Sequence, residues 1–169
     1  MKGLSFDQFT KKIYIKAPMK KLYWCWATED GLTTWFLKEA KFSRKHFTMD
    51  YGEYTKPSDK FVWKWHNWDG QEEGEVIQAN GKDFIQFTFA EGLVDVSLEE
   101  ANDKTLLTLK QHQIPTDEES KLKYHVGCSN GWTFWLTNLK AYLEHGILLN
   151  ETEQDLTTEQ LADWVFVNI

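Results

Sequence analysis

The chain has 169 residues, of which 41% are hydrophobic and 15% aromatic, and its formal net charge at pH 7 is -7. This length suits one substantial domain, and the composition excludes a disordered chain. The acidic balance argues against nucleic acid or an anionic membrane surface as a partner, because phosphate groups would repel the protein.

The first part of the chain predicts one strand followed by two short helices. Residues 9–16 alternate between apolar and polar side chains, which is the period of a half-buried strand. Pro18 suits the first turn of a helix, and apolar residues recur after it at helical spacing. We therefore predict a first helix that ends near Gly31 and a second helix over residues 32–37.

Residues 39–112 predict a run of antiparallel strands, because no helical period persists there. Asn80-Gly81 is the strongest hairpin signal in the chain. Large apolar side chains alternate with polar ones on both sides of this turn, so that one face of the sheet is expected to be buried. The whole sheet should contain about six or seven strands, mostly joined by hairpins.

A long amphipathic helix is predicted over residues 131–146. Its apolar face recurs at the helical period and consists of Trp132, Leu136, Leu139 and Leu143, widened by Trp135 and Tyr142. Glycines at 127 and 131 lower the helix propensity, so we expect a break near Ser129-Asn130. Gly146 is a typical residue to end the helix.

Residues 148–169 form a C-terminal tail outside the domain that we assign to residues 1–147. The tail reads as a polar linker followed by a short amphipathic helix with Leu161, Trp164 and Val165 on one side. We expect this helix to dock on the domain. The alternatives are a subunit contact, which would produce a homodimer, and a lid over a pocket entrance.

The residue types that carry catalysis or bind metals are scattered. The five histidines have no metal-ligand spacing, and the sequence has no Ser-His-Asp pattern and no Gly-rich phosphate loop, so we predict no catalytic residue, no metal and no cofactor. Cys25 and Cys128 are interpreted as small buried hydrophobes rather than a disulfide. Without a membrane-length apolar stretch or a secretory signal, we expect a cytoplasmic protein that does not bind a membrane.

Three groups of residues resemble one known family. They are Ala17, Pro18, Trp24, Thr28 and Trp35 near the N-terminus, Thr105, Leu107 and Leu109 in the last strand, and Gly131, Trp132, Leu136, Leu139, Tyr142 and Leu143 in the closing helix. Over roughly residues 7–147 the chain resembles the family of homologues of the activator of the heat-shock-protein-ninety ATPase, within the START-like or SRPBCC superfamily. The resemblance implies an α+β helix-grip fold, in which a curved antiparallel sheet wraps on a long C-terminal helix and two short helices follow the first strand.

Relatives with this fold enclose a cavity between the sheet and the last helix, and the resemblance implies one here. The candidate cavity wall, assigned by face, is Trp35, Trp63, Trp65, Ile85, Phe87, Val96, Leu107, Leu109, Trp132 and Trp135. Stacked rings suit a flat or hydrophobic ligand, and they can equally pack against one another and close the cavity.

The leading hypothesis is therefore a non-enzymatic START-like domain that binds a small hydrophobic or aromatic ligand. The first alternative is a protein-interaction module similar to the chaperone activator, with a chaperone as its partner. The second is a cyclase-like or hydrolytic enzyme. An apolar cavity would favour ligand binding, a filled interior would favour interaction, and a cavity with a buried ionisable group would favour an enzyme.

Overall fold

The computed structural model describes residues 5–156 and 166–169. Its strands are β1 (Gln8–Ile15), β2 (Glu39–Arg44), β3 (Phe47–Thr48), β4 (Lys60–Lys64), β5 (Gln71–Ala79), β6 (Phe84–Phe89), β7 (Gly92–Ala101) and β8 (Lys104–His112). They form one antiparallel sheet in the order β1-β8-β7-β6-β5-β4-β2-β3. A register shift between Val76 and Gln78 in β5 marks a β-bulge, which bends a sheet locally.

Helices follow β1 and β8. They are α1 (Met19–Ala27), α2 (Glu29–Trp35), the single turn α3 (Glu118–Ser120), a π-helical segment (Lys121–Gly127) and the long α4 (Cys128–His145). Gly146 ends α4 in the left-handed conformation with φ of 68°, which glycine adopts without steric cost. The predicted α+β helix-grip architecture is confirmed.

The core lies between the sheet and α4, as the sequence periods predict. Val94, Val96 and Leu98 of β7 and the alternate leucines of β8 are buried. Trp132, Trp135, Leu136 and Leu139 of α4 belong to the same hydrophobic cluster. The inward side chains of the strands, which recur every two residues, and those of α4, which recur every 3.6 residues, therefore pack in the same core.

The described residues contain eight strands rather than about six or seven. The difference comes from β2 and β3, whose hairpin turns at Lys45-His46, both with positive φ. Neither residue is one that usually marks such a turn, so the sequence gives no hairpin signal there. Only two residues of β2, Ala40 and Phe42, form a fully buried row, which is too short to establish a period.

Three details of the predicted helices were wrong, among them the second helix, which spans Glu29–Trp35 instead of residues 32–37. The first helix ends at Ala27 instead of near Gly31, because the Thr28 hydroxyl accepts a hydrogen bond from the Gly31 N–H and begins α2. Gly31 lies inside α2, where a Cβ atom would approach the backbone oxygen of Trp24 to 2.0 Å. The irregularity expected near Ser129-Asn130 lies earlier, in the π-helical segment.

The tail turns back along the end of α4. Asn138, which is fully buried, donates to the backbone oxygen of Trp35 at 2.7 Å and accepts from the Leu149 N–H at 2.6 Å. The Glu151 N–H donates to the backbone oxygen of Asn168 at 2.8 Å. The predicted tail helix with Leu161, Trp164 and Val165 falls in the gap between the described ranges.

Candidate functional site

The structure brings all ten residues of the candidate cavity wall into the core region. Nine of them are at most 5% exposed, and Trp65 is partly buried against the same cluster. The face assignments from the sequence therefore agree with the observed burial. Contact of these residues with a ligand stays a prediction.

Aromatic rings occupy the space between the sheet and α4. The Trp135 ring centroid lies 5.5 Å from that of Trp35, 6.0 Å from that of Trp63 and 4.8 Å from that of Trp132. The Phe87 and Trp63 centroids are 5.2 Å apart. Centroid distances of 4.5–7 Å are those of rings in direct contact, so these rings pack against each other.

A pocket lies where this aromatic core reaches the surface, beside the start of α4. We call it the helix-end pocket. Its volume is about 420 Å³, and it is lined by Trp65, Trp68, Phe89, Lys123, Gly127, Cys128, Gly131, Trp132, Trp135 and Ile169. Three of the ten predicted wall residues, Trp65, Trp132 and Trp135, therefore border open space.

Several elements build the helix-end pocket. The connection between β4 and β5 supplies Trp65 and Trp68, whose ring centroids are 5.0 Å apart. Phe89 is the last residue of β6, and its ring centroid lies 4.9 Å from that of Trp132. A Cβ atom added at Gly131 would meet no atom within 4 Å, so the absence of a side chain there leaves the space open.

Gln111 is a fully buried polar residue that contacts the aromatic core. Its side-chain oxygen accepts a hydrogen bond from the Trp132 Nε1–H at 2.8 Å, and its Nε2 donates to the Phe89 backbone oxygen at 3.4 Å. Buried amides need such partners, because an unpaired one costs about 1–3 kcal/mol. Gln111 thus fixes the orientation of one wall of the pocket.

Two ionisable groups near this wall have raised pKa values. Burial raises the pKa of the Cys128 thiol to about 11, although a hydrogen bond from Gln111 opposes the shift. Burial also raises the pKa of the Glu72 carboxyl group, and a hydrogen bond from the Ala90 N–H partly offsets this. A thiol of this kind is a poor nucleophile near neutral pH, because little of it is thiolate.

Two buried indole groups lack a hydrogen-bond partner in the part of the chain that the structure describes. Trp26 and Trp63 pack in the aromatic core, and their Nε1–H groups have no hydrogen-bond acceptor among the described residues. Most buried polar side-chain atoms in native proteins have a partner, so these two donors are exceptions. The Trp132 donor, by contrast, is satisfied by Gln111.

The described residues contain no group of three or more His, Cys, Asp or Glu side chains that could hold a metal ion. Within the same part of the chain, no helix is long and apolar enough to cross a bilayer. Both cysteines are described, and both thiols are free.

Sequence reasoning missed most of the pocket's other lining residues. Phe89 follows Ile85 and Phe87 in the inward row of β6. The alternation therefore places Phe89 on the correct face, but the predicted cavity wall did not include it. Trp68 lies in an irregular connection, where no period predicts its direction. Lys123, Gly127 and Cys128 come together through the π-helical segment, which the sequence pattern did not reveal.

Comparison with known proteins gives a family and several similar folds. A family model described as Activator of Hsp90 ATPase homolog 1-like protein matches residues 16–144. The comparison with curated proteins yields no significant match.

Three solved structures with similar folds are each under 20% identical to this chain in sequence. A Staphylococcus saprophyticus protein superposes with a TM-score of 0.67 at 17% identity, covering 84% of this chain and 95% of its own. The Aha1 dimer from Colwellia psychrerythraea gives 0.64 at 18% identity, covering 82% and 97%. DynU16, from the dynemicin biosynthetic locus, gives 0.66 at 16% identity, covering 86% of this chain and 50% of its own.

Proposed function

The chain belongs to the family of Activator of Hsp90 ATPase homolog 1-like proteins, and we propose that it binds a small hydrophobic or aromatic ligand in the helix-end pocket. The observation that carries this proposal is the pocket's wall, which contains five aromatic side chains, from Trp65, Trp68, Phe89, Trp132 and Trp135. Its volume of about 420 Å³ falls in the range of small-molecule sites.

Aromatic rings fill the interior between the sheet and α4, the outcome expected to favour a protein-interaction function, so the ligand-binding proposal rests on the pocket at the edge of this core. The rings of Trp35, Trp63 and Phe87 pack on neighbouring rings, so a ligand would stack at the edge of the core rather than replace it. An aromatic ligand gains from such a surface both the burial of its area and ring-to-ring contact. Trp68, which is 49% exposed, has the most contact surface to offer.

A test uses N-phenyl-1-naphthylamine, a neutral aromatic probe whose fluorescence rises when it leaves water. We expect it to bind, and we expect Gly131→Leu to remove the binding, because Gly131 lines the pocket and the new side chain would start in open space, where a Cβ atom meets no protein atom within 4 Å. Leucine also favours a helix over glycine by about 0.8 kcal/mol, so this variant should be at least as stable as the parent.

Gly52→Leu is the matched control, because a Cβ atom at Gly52 also meets nothing within 4 Å and Gly52 does not line the helix-end pocket. It should bind the probe as the parent does. Native mass spectrometry of protein purified without added ligand would show whether a small molecule is retained. Failure of the probe to bind the parent, with no retained molecule, would overturn the proposal.

A second candidate is a protein-interaction function that acts on a chaperone, suggested by the family's description and by an aromatic and basic surface on α1. There a depression of about 410 Å³ is lined by Pro18, Lys20, Lys21, Trp24 and Tyr54. The Lys21 ammonium lies 3.5 Å from the Trp24 ring centroid, and Trp side chains are common at binding hot spots.

This candidate predicts that adding the protein raises the ATPase rate of purified Hsp90 and that Trp24→Ala abolishes the rise. Gly131→Leu should leave the rise unchanged, because the helix-end pocket is lined by other residues. The Aha1 structure from Colwellia psychrerythraea is of a dimer, so a homodimer through residues 148–169 is proposed as well. Light scattering after gel filtration would then give twice the mass of one chain.

A further inference from the structure

The helix-end pocket has one charged side chain among the described residues that line it. This is Lys123, in the π-helical segment, while the remaining lining is aromatic or small apart from the Cys128 thiol and Ile169. A protein with a net charge of -7 therefore presents a cation at the rim of its aromatic pocket. This side chain is opposite in sign to the net charge of the chain.

Lys123 makes no ion pair with any described residue. Its ammonium lies 5.2 Å from the ring centroid of its neighbour Tyr124. Lys121, two residues earlier, differs in that it is paired with Glu118 and lies 5.4 Å from the Phe6 ring centroid. Both lysines lie near an aromatic ring, but among the described residues only Lys121 has an anionic partner.

Two acidic side chains, which act on Cys128 and Tyr124 near the pocket, already hold hydrogen bonds. Glu72 accepts from the Ala90 N–H at 2.9 Å, and Glu91 accepts from the Tyr124 hydroxyl at 3.4 Å. Neither lines the pocket. A ligand that entered the pocket would therefore meet one ammonium group at the rim and aromatic faces inside.

We propose that the ligand of the helix-end pocket is an aromatic anion, with its rings against Trp65, Trp132 and Trp135 and its carboxylate or sulfonate group at Lys123. This inference rests on the proposed ligand-binding function and specifies the ligand class. The net negative charge of the protein repels anions in general, so a preference for an anion has to come from the local cation.

The test compares two probes that differ in one group. 8-Anilino-1-naphthalene sulfonate is N-phenyl-1-naphthylamine with a sulfonate added. Lys123→Met keeps the length and apolar stem of the side chain and removes its charge. We expect this variant to bind the sulfonate roughly two- to fivefold more weakly, the range of an exposed ion pair, and to bind the neutral probe as the parent does.

Lys12→Met is the control, because Lys12 is an exposed lysine on β1 outside the pocket. It changes the net charge by the same amount and should leave both affinities unchanged. In addition, raising the salt concentration to about 1 M should weaken binding of the sulfonate to the parent and have little effect on Lys123→Met, because salt screens exposed charges.

The outcomes separate the two proposals. Equal changes for both probes in Lys123→Met, or no change for either, would overturn the anion preference while the pocket still binds aromatic compounds. Binding of neither probe to the parent would overturn the ligand-binding function and the anion preference together. A selective loss of the sulfonate in Lys123→Met, absent from Lys12→Met, supports the inference.

Discussion

The Nε1–H of Trp132 donates a 2.8 Å hydrogen bond to the side-chain oxygen of Gln111, and so joins α4 to β8 inside the core. Both side chains are buried. The bond holds the Trp132 ring between the aromatic core and the helix-end pocket. Its removal should therefore affect both stability and the shape of the pocket.

Gln111→Leu is expected to destabilise the protein by about 1–3 kcal/mol, because it leaves the Trp132 donor buried without an acceptor. Adding Trp132→Phe to this variant removes that donor, so the double variant should lose less than the sum of the two single losses. Urea denaturation of the four proteins measures the coupling. Strictly additive losses would show that the hydrogen bond contributes nothing.

Trp63→Phe should cost less stability than Trp132→Phe. Both replacements remove the same atoms from the aromatic core, but the Trp63 donor has no acceptor among the described residues while the Trp132 donor does. We expect a difference of about 1–3 kcal/mol in the free energy of unfolding, because only Trp132→Phe leaves Gln111 without its donor. Equal losses would indicate that the Trp63 donor is satisfied in solution.

The fold was predictable because its signals are local and repeated. The alternation in β6, β7 and β8 gives each strand one apolar face, and the helical period gives α4 another. Because apolar faces are buried, the sheet and α4 pack against each other. The hydrogen-bond partners of the polar core residues were harder to predict from the sequence. Gln111 continues the inward row of Leu107 and Leu109, so alternation predicts its burial, but the partner that makes burial tolerable lies on another element.

The site was less predictable than the fold for a physical reason. Trp35 and Trp135 are both buried tryptophans, 0% and 5% exposed, yet of the two only Trp135 borders the helix-end pocket. The difference depends on where the packed rings of the core end and the helix-end pocket begins, which is a property of three-dimensional packing. The contacts of Asn138 were unpredictable for a similar reason. Its position within a buried helix face does not reveal its hydrogen bonds with Trp35 and Leu149.

Asn138→Ala is expected to cost about 2 kcal/mol or more, because it leaves the Trp35 oxygen and the Leu149 N–H without their partner. The amide of Leu149 should then exchange hydrogen faster in the native state. Thr137→Ala is the control on the same helix, where the hydroxyl is exposed and bonds only to the Thr133 oxygen. Unchanged exchange at Leu149 in Asn138→Ala would contradict the role of Asn138 in holding the tail.

Replacing Ala90-Glu91 with Asn-Gly should stabilise the protein by about 1 kcal/mol. Both residues have positive φ, of 44° and 58°, in the turn between β6 and β7, and Asn-Gly is the sequence that this geometry favours. The turn at Lys45-His46 also has two positive φ values and offers an independent repeat of the experiment. Thermal denaturation that shows no gain at either turn would contradict the strain argument.

Glu72→Gln should raise stability at pH 7 and have little effect at pH 4. Burial raises the pKa of Glu72 in the folded protein, so the folded state holds its proton more tightly than the unfolded chain does. The stabilisation that Glu72 contributes is therefore complete at low pH. It declines as the pH rises from the ordinary pKa of glutamate, about 4.3, to the raised pKa of Glu72. Glutamine is neutral throughout, and its side-chain oxygen can still accept from the Ala90 N–H.

Urea denaturation of the parent and of Glu72→Gln at both pH values measures this difference. Glu73→Gln is the matched control on the next position of β5, where the side chain is exposed. The gain of Glu72→Gln at pH 7 should exceed that of Glu73→Gln, since only Glu72 has its carboxylate desolvated beside the pocket wall. A loss of stability at both pH values would mean that the carboxylate charge stabilises the Ala90 turn more than burial penalises it.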